Sequence, residues 1–190
     1  CGTGKHLERF RKRYEIEGLD VNPVMLEMAR DRLGDVPLHE ASFCEFDLGR
    51  QFDVITNLFS SIGYARTRGD LDAAVRCMAD HLVPGGIAII EPWFTKDGYH
   101  AGNVHMTLVD EPDLKICRMN RSNVEGDFSI MEMHYLVATP EDGTRHFVER
   151  HELRMFTVED FAAAASAAGL RHEYVEPGHW RRGLHIYTRS

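Results

Sequence analysis

The sequence predicts an α/β protein: a doubly wound, largely parallel sheet with helical crossovers, interrupted by an antiparallel insertion. Three observations predict it. A glycine turn, Gly2-Thr3-Gly4, opens a helical stretch, and an acidic residue, Asp20, ends the next apolar run. Helical and strand-like patterns then alternate as far as Pro92, the rhythm of a parallel sheet with crossovers. Beyond Trp93 the pattern switches to period two with short Gly-, Asp- and Pro-containing turns, the rhythm of an antiparallel meander. The expected organisation is a core over 1–92, the insertion over 93–156, and a helix with two closing strands over 157–190.

Each element has a local reason. Gly4 to Tyr14, rich in Lys, Arg, Leu and Glu, is expected to be helical, and Ile16 to Asp20 a short strand. Asn22-Pro23 starts a second helix, with Pro in the first turn, where its missing N–H is not needed. Met25, Leu26, Met28, Ala29 and Leu33 follow at helical spacing. Pro37 to Glu40 is a short strand, Ala41 to Asp47 a loop, and Gln51 to Asn57 a buried central strand. Asp70 to Leu82 is a helix with Asp70 as its N-cap, Pro84-Gly85-Gly86 breaks it, and Ile87 to Glu91 is the next strand. The insertion divides into strands at Val104–Val109, Lys115–Asn123, Ser129–Val137 and His146–Met155. Thr157 to Ala168 is a helix with a capping pattern at Thr157 and Asp160 and a stop at Gly169. Arg171–Glu176 and Leu184–Thr188 close the chain as strands.

Composition narrows the function. At 190 residues the chain can bury a substantial single core. A net charge of −8 argues against nucleic acid as a generic partner, because phosphate neutralisation needs a basic surface. No apolar run approaches the roughly 18 residues of a membrane span, so no membrane partner is expected. Cys1, Cys44, Cys77 and Cys117 are irregularly spaced, with no CxxC, which fits free thiols in a reducing cytoplasm. His134, His146 and His151 have no carboxylate partners at metal spacing, so no metal is expected.

Glycines at a strand-to-helix turn let the backbone approach a ligand, and a carboxylate at the tip of the next strand can accept from both ribose hydroxyls. Gly2, Gly4 and Asp20 therefore point to an adenosine-type cofactor. A turn glycine pair alone would look the same. The added weight comes from Ser60-Ser61-Ile62-Gly63-Tyr64, at the end of a central strand where open sheets bind ligands, and from the helix stop His81 to Gly86. The chain opens inside the motif, so the first strand of the fold is expected to be missing from it.

Cys1-Gly2-Thr3-Gly4, Phe59-Ser60-Ser61-Ile62-Gly63-Tyr64, Leu82-Val83-Pro84-Gly85-Gly86, Glu91-Pro92-Trp93, Met133 to Ala138 and Ala167 to Leu170 resemble a known family nearly end to end. It is the bacterial nucleotide-aminosugar N,N-dimethyltransferases, class I S-adenosylmethionine-dependent enzymes that make the dimethylamino sugars of macrolide antibiotics. The resemblance implies a Rossmann-like sheet and S-adenosyl-L-methionine as cofactor, approached by Cys1, Gly2 and Gly4, held at its ribose by Asp20, and flanked by Asn57. It implies that the Ala41-Ser42-Phe43 loop holds the adenine. The family usually has Asp where Ser42 stands, so either the Ser42 hydroxyl or stacking and the backbone N–H of Phe43 must take over. Tyr64 is implied to sit beside the substrate amine, where it would orient the lone pair for an in-line displacement. Ser60, Trp93, His134 and Arg182 are expected on the acceptor side, with Arg181-Arg182 suited to a diphosphate, although two solvated arginines fit equally well. The implied function is N-methylation of a dTDP-linked aminosugar, in two rounds. Methylation of another small natural product at N, O or C, a non-catalytic S-adenosylmethionine-binding domain, and a dinucleotide-dependent dehydrogenase remain open, as does a homodimer.

Overall fold

The glycine turn shapes the first elements. In the computed structural model, which describes residues 1–176 and 182–190, Gly4 takes a left-handed φ of 76° and opens helix α1, Lys5–Phe10. The helix is shorter than the expected Gly4–Tyr14. It buries no residue, and the charged segment that follows has no apolar face with which to prolong it. Strand β1, Gly18–Asp20, pairs in parallel with β2, Leu38–Glu40. Helix α2, Pro23–Leu33, joins them; Asn22 caps it by accepting from the amides of Val24 and Met25. Its Leu26, Ala29 and Leu33 are fully buried.

Strand β3, Phe52–Asn57, ends in a 3₁₀ turn at Ser61–Tyr64, and helix α3, Arg68–Asp80, leads into β4, Leu82–Ile90. Two expectations shift here. The N-cap of α3 is Thr67, with Asp70 at its third position completing a reciprocal capping box. Pro84-Gly85-Gly86 does not separate helix from strand but lies inside β4, where the pairing with β3 slips between Phe52 and Val54. The helix has already stopped at His81, whose Nδ1 meets the Cys77 carbonyl at 2.8 Å while Nε2 accepts from the Leu48 amide.

The antiparallel insertion is a simple meander: β5 Val104–Glu111, β6 Leu114–Glu125, β7 Phe128–Thr139 and β8 Gly143–Arg154. Each strand is longer than the sequence pattern marked. Helix α4, Val158–Ala167, carries the expected capping box between Thr157 and Asp160. Strands β9, Leu170–Val175, and β10, Leu184–Arg189, then complete a four-stranded sheet in the order β3-β4-β10-β9, with β10 antiparallel to both neighbours.

The core lies where α3 and α4 cover this sheet. Leu71, Val75 and Met78 of α3 meet Phe161, Ala164 and Ala165 of α4 over Ala88, Ile90 and Tyr187. Each large apolar side chain sealed this way contributes about 1.5–3 kcal/mol. The Tyr187 hydroxyl is satisfied by the Phe161 carbonyl at 3.1 Å. The single sheet expected from the sequence is in two pieces, because no strand among the described residues joins β1 to β3. For the same reason β3 is not buried throughout: it pairs only with β4, and Asp53, Val54 and Thr56 are exposed.

Candidate active site

The tips of β1 and β3 carry the candidate residues. Asp20 ends β1, and both of its carboxylate oxygens are fixed. Oδ2 accepts from the Gly2 amide at 2.7 Å, and Oδ1 accepts from the Asn22 amide at 2.9 Å. Burial pushes the Asp20 carboxyl up, but the hydrogen bonds from the Asn22 and Gly2 amides hold the group below the usual carboxylate range. Two amide donors against about four acceptor sites leave a lone pair open on Oδ1. A Cβ on Gly2 would project into open space, whereas one on Gly4 would strike Leu33 of α2. The two glycines thus do different work: Gly2 leaves open space beside the turn, and Gly4 permits close helix packing.

The loop after β2 brings Ser42 and Phe43 to the same end of the chain's first half. The Ser42 hydroxyl accepts from the Cys44 amide at 3.1 Å, which leaves its proton free to donate outward. Phe43 packs partly buried against the main core.

After β3 the backbone is strained. Phe59 and Ser60 both take left-handed φ values, 57° and 61°, in consecutive non-glycine residues. Such conformations cost on the order of 1–3 kcal/mol each and persist where surrounding contacts hold them. Here Glu91 accepts from the Phe59 amide at 2.7 Å, and the Ser60 hydroxyl donates to the Pro92 carbonyl at 2.7 Å. Asn57, buried at the end of β3, accepts from Ser61 Oγ at 2.7 Å and so fixes the start of the turn. Gly63 is needed next because a Cβ there would lie 2.9 Å from Leu153 of β8. The turn delivers the Tyr64 hydroxyl to His151 Nδ1 at 2.7 Å, and His151 Nε2 faces Glu149 at 3.4 Å.

Arg182 is drawn into the same support. One terminal nitrogen donates to Ser60 Oγ and the other pairs with Glu91 at 2.8 Å, while the guanidinium lies over the rings of Phe59, Trp93 and Phe94. Trp93 donates to Ser129 Oγ at 2.6 Å and so ties the end of β4 to the insertion. Trp180 and Arg181, also singled out in the sequence, lie outside the described residues. His134 is not brought to this site. Register puts Ser129, Met131, His151 and Leu153 on the face of the meander that meets Trp93 and Tyr64. His134 stands on the opposite face, beside His146 and Glu132.

Comparison with known proteins fits this geometry. The family model described as "Methyltransferase domain" matches residues 1–86. A dTDP-3-amino-3,4,6-trideoxy-alpha-D-glucopyranose N,N-dimethyltransferase of Streptomyces venezuelae is 41% identical over 98% of this chain and 79% of its own. A dTDP-4-amino-2,3,4,6-tetradeoxy-D-glucose N,N-dimethyltransferase of Saccharopolyspora spinosa is 42% identical over 100% of this chain and 76% of its own. The chain belongs to the class I S-adenosylmethionine-dependent methyltransferases, in the sugar N,N-dimethyltransferase family. The S-adenosylmethionine-bound structure of CalS10, an amino pentose methyltransferase from Micromonospora echinaspora, superposes with a TM-score of 0.90 at 41% identity, covering 100% of this chain and 80% of that one.

The cofactor of this methyltransferase is S-adenosylmethionine, and the residues present fit it. The open lone pair of Asp20 suits a ribose hydroxyl, and the space beside Gly2 is what a close ligand approach requires. His151 and Glu149 are the partners that sequence reasoning missed. Their period-two spacing was visible, but their meeting with Tyr64 depends on a contact 87 residues apart.

Proposed function

We propose that this methyltransferase transfers methyl groups to the amine of a dTDP-linked aminosugar, in two successive rounds, in the making of an antibiotic sugar. The observation that carries the acceptor is that both relatives, aligned over nearly the whole chain, are named for N,N-dimethylation of dTDP-aminosugars. S-adenosylmethionine supplies an electrophilic methyl group on a sulfonium centre. The protein's part is then to hold a neutral amine in line with it and to exclude water.

On this reading Asp20 grips the ribose, the Gly2–Gly4 turn and Cys1 lie against the cofactor, and Ser42 and Phe43 frame the adenine. Asn57 and Ser60 shape the strained turn that presents Tyr64 to the amine, and Trp93 walls the acceptor side. Arg182 would reach a diphosphate by exchanging its Ser60 and Glu91 partners for phosphate oxygens. A cytoplasmic setting is supported by four free thiols. A homodimer is supported by Val104, Met106, Leu108 and Met119, which stand exposed on the outer face of the meander.

The test is direct. The protein, incubated with S-adenosylmethionine and a dTDP-linked 3-aminosugar, is expected to yield mono- and then dimethylated product by mass spectrometry. Asp20→Ala should weaken S-adenosylmethionine binding by about 1.5–3 kcal/mol in calorimetric titration, the range for hydrogen bonds to a charged acceptor. A wild-type protein that binds the cofactor but methylates no aminosugar would move the acceptor to another small molecule.

A further inference from the structure

Two methyl transfers to one nitrogen require proton removal between them. The first displacement turns the amine into a secondary ammonium, which has no lone pair until it loses a proton. Tyr64 is poorly suited to keep that proton. Burial, with the Glu149 charge adding to it, pushes its phenol above the ordinary value, so the hydroxyl stays protonated. Its proton, however, has a place to go. His151 Nδ1 lies 2.7 Å from the Tyr64 oxygen. Glu149, 3.4 Å from Nε2, is the carboxylate within salt-bridge distance of this ring among the described residues. With Nε2–H turned to Glu149, Nδ1 is the acceptor. The strand opposite places Met131 in register with His151, and the 3₁₀ turn places Tyr64 against it. His151 is partly open to solvent, and Glu149 more so.

We propose that Tyr64, His151 and Glu149 form a proton relay that clears the ammonium between the first and second methyl transfers. The proposal rests on the aminosugar reading above. In the step, the N–H bond of the ammonium breaks and its electron pair stays on nitrogen. The proton passes to the Tyr64 oxygen as the Tyr64 proton passes to His151 Nδ1. Tyr64 ends unchanged, and the imidazolium donates to Glu149 until solvent takes the proton. His151 and Glu149 act through Tyr64 and are positioning residues for the amine.

The test follows mono- and dimethylated product separately across pH 6 to 9. His151→Asn keeps a hydrogen-bond acceptor near Nδ1 but cannot hold a proton. Its ratio of second to first methylation rates should fall at least tenfold near pH 7, releasing monomethyl product, and should recover as pH rises and bulk water deprotonates the ammonium. S-adenosylmethionine affinity should stay as in wild type. Glu149→Gln, a milder change on an exposed strand, removes the charge that steadies the imidazolium; the acid limb of the second step should move to lower pH. Retention of the wild-type ratio and pH profile in both variants overturns the relay. Absence of any methylated aminosugar with the wild-type protein overturns the acceptor reading itself, a result distinct from active variants that match wild type.

Discussion

The four-stranded sheet β3-β4-β10-β9 and the four-stranded meander β5–β8 dispose of their side chains differently. In the first, Ala88, Ile90 and Tyr187 are sealed beneath α3 and α4. In the second, Val104, Met106 and Leu108 of β5 stand more than half exposed, at 70%, 61% and 61%, with Met119 of β6 at 50% beside them. One face of the first sheet is covered by α3 and α4. The second meets the core through Ser129, His151 and Leu153 at one end, and its outer face stands exposed. Apolar burial is therefore concentrated in one sheet and exposed apolar surface in the other, and the candidate active site lies where they meet, at Tyr64 and His151.

The largest effect expected breaks the comparison most directly. Ile90→Ala, at a fully buried position of β4, should cost about 2–5 kcal/mol, because a cavity is left as well as lost transfer energy. Leu108→Ala, a truncation of similar size on β5, should change the stability of the isolated protomer by no more than about 0.5 kcal/mol. Denaturant titrations of the two variants at low protein concentration measure both. Similar losses would mean that the meander's outer face is covered within the protomer.

A second difference concerns acid. His185 of β10 is buried, stacked on Phe161 with ring centres 3.9 Å apart and bonded to His172 at 2.9 Å. Burial, with the neighbouring His172 adding to it, drives its imidazole down to about 3 from the ordinary 6.5. The folded state keeps this ring neutral, so the unfolded chain takes up its proton first. The stability held at the site is intact above about pH 6.5 and drains away as pH falls towards 3. The loss is on the order of 3 kcal/mol at pH 4. His185→Phe keeps a flat ring against Phe161 and should flatten that acid branch in melts taken from pH 7 to pH 4. An unchanged acid branch in the variant would place the sensitivity elsewhere.

Much of this arrangement was legible in the sequence, and the failures have definite causes. The Thr157-to-Asp160 spacing predicts a capping box, and the same spacing at Thr67 and Asp70 forms another, with Thr67 rather than Asp70 as the cap. Pro84-Gly85-Gly86 resembled a helix stop because a bulge inside a strand uses the same residues as a turn. Asp20 ends β1 beside a recognisable turn and Tyr64 ends the turn that follows β3, so both positions stand out in the sequence. Period two does not place His134, because it fixes only that neighbours alternate, not which face points inward. That choice is made by Trp93 and Tyr64, which bond to Ser129 and His151 from distant parts of the chain. Arg182 looked like a free phosphate fork because its internal partners, Glu91 and Ser60, are about 90 and 120 residues away.

The smallest expected effect sharpens the comparison at the outer face. Met119 lies in register with Met106 on one side and His134 on the other, in the middle of the exposed apolar strip. A second copy covering the strip would remove these side chains from water, and a charge introduced there would be buried without a partner. Met119→Glu should therefore raise the dissociation constant of the dimer at least tenfold, equivalent to about 1.4 kcal/mol. It should leave the melting temperature of the dilute protomer nearly unchanged, because the position is half exposed there. Sedimentation velocity over a concentration series gives both species. A wild-type protein that stays monomeric at tens of micromolar, or a dimer indifferent to Met119→Glu, would show that the strip is not where two copies meet.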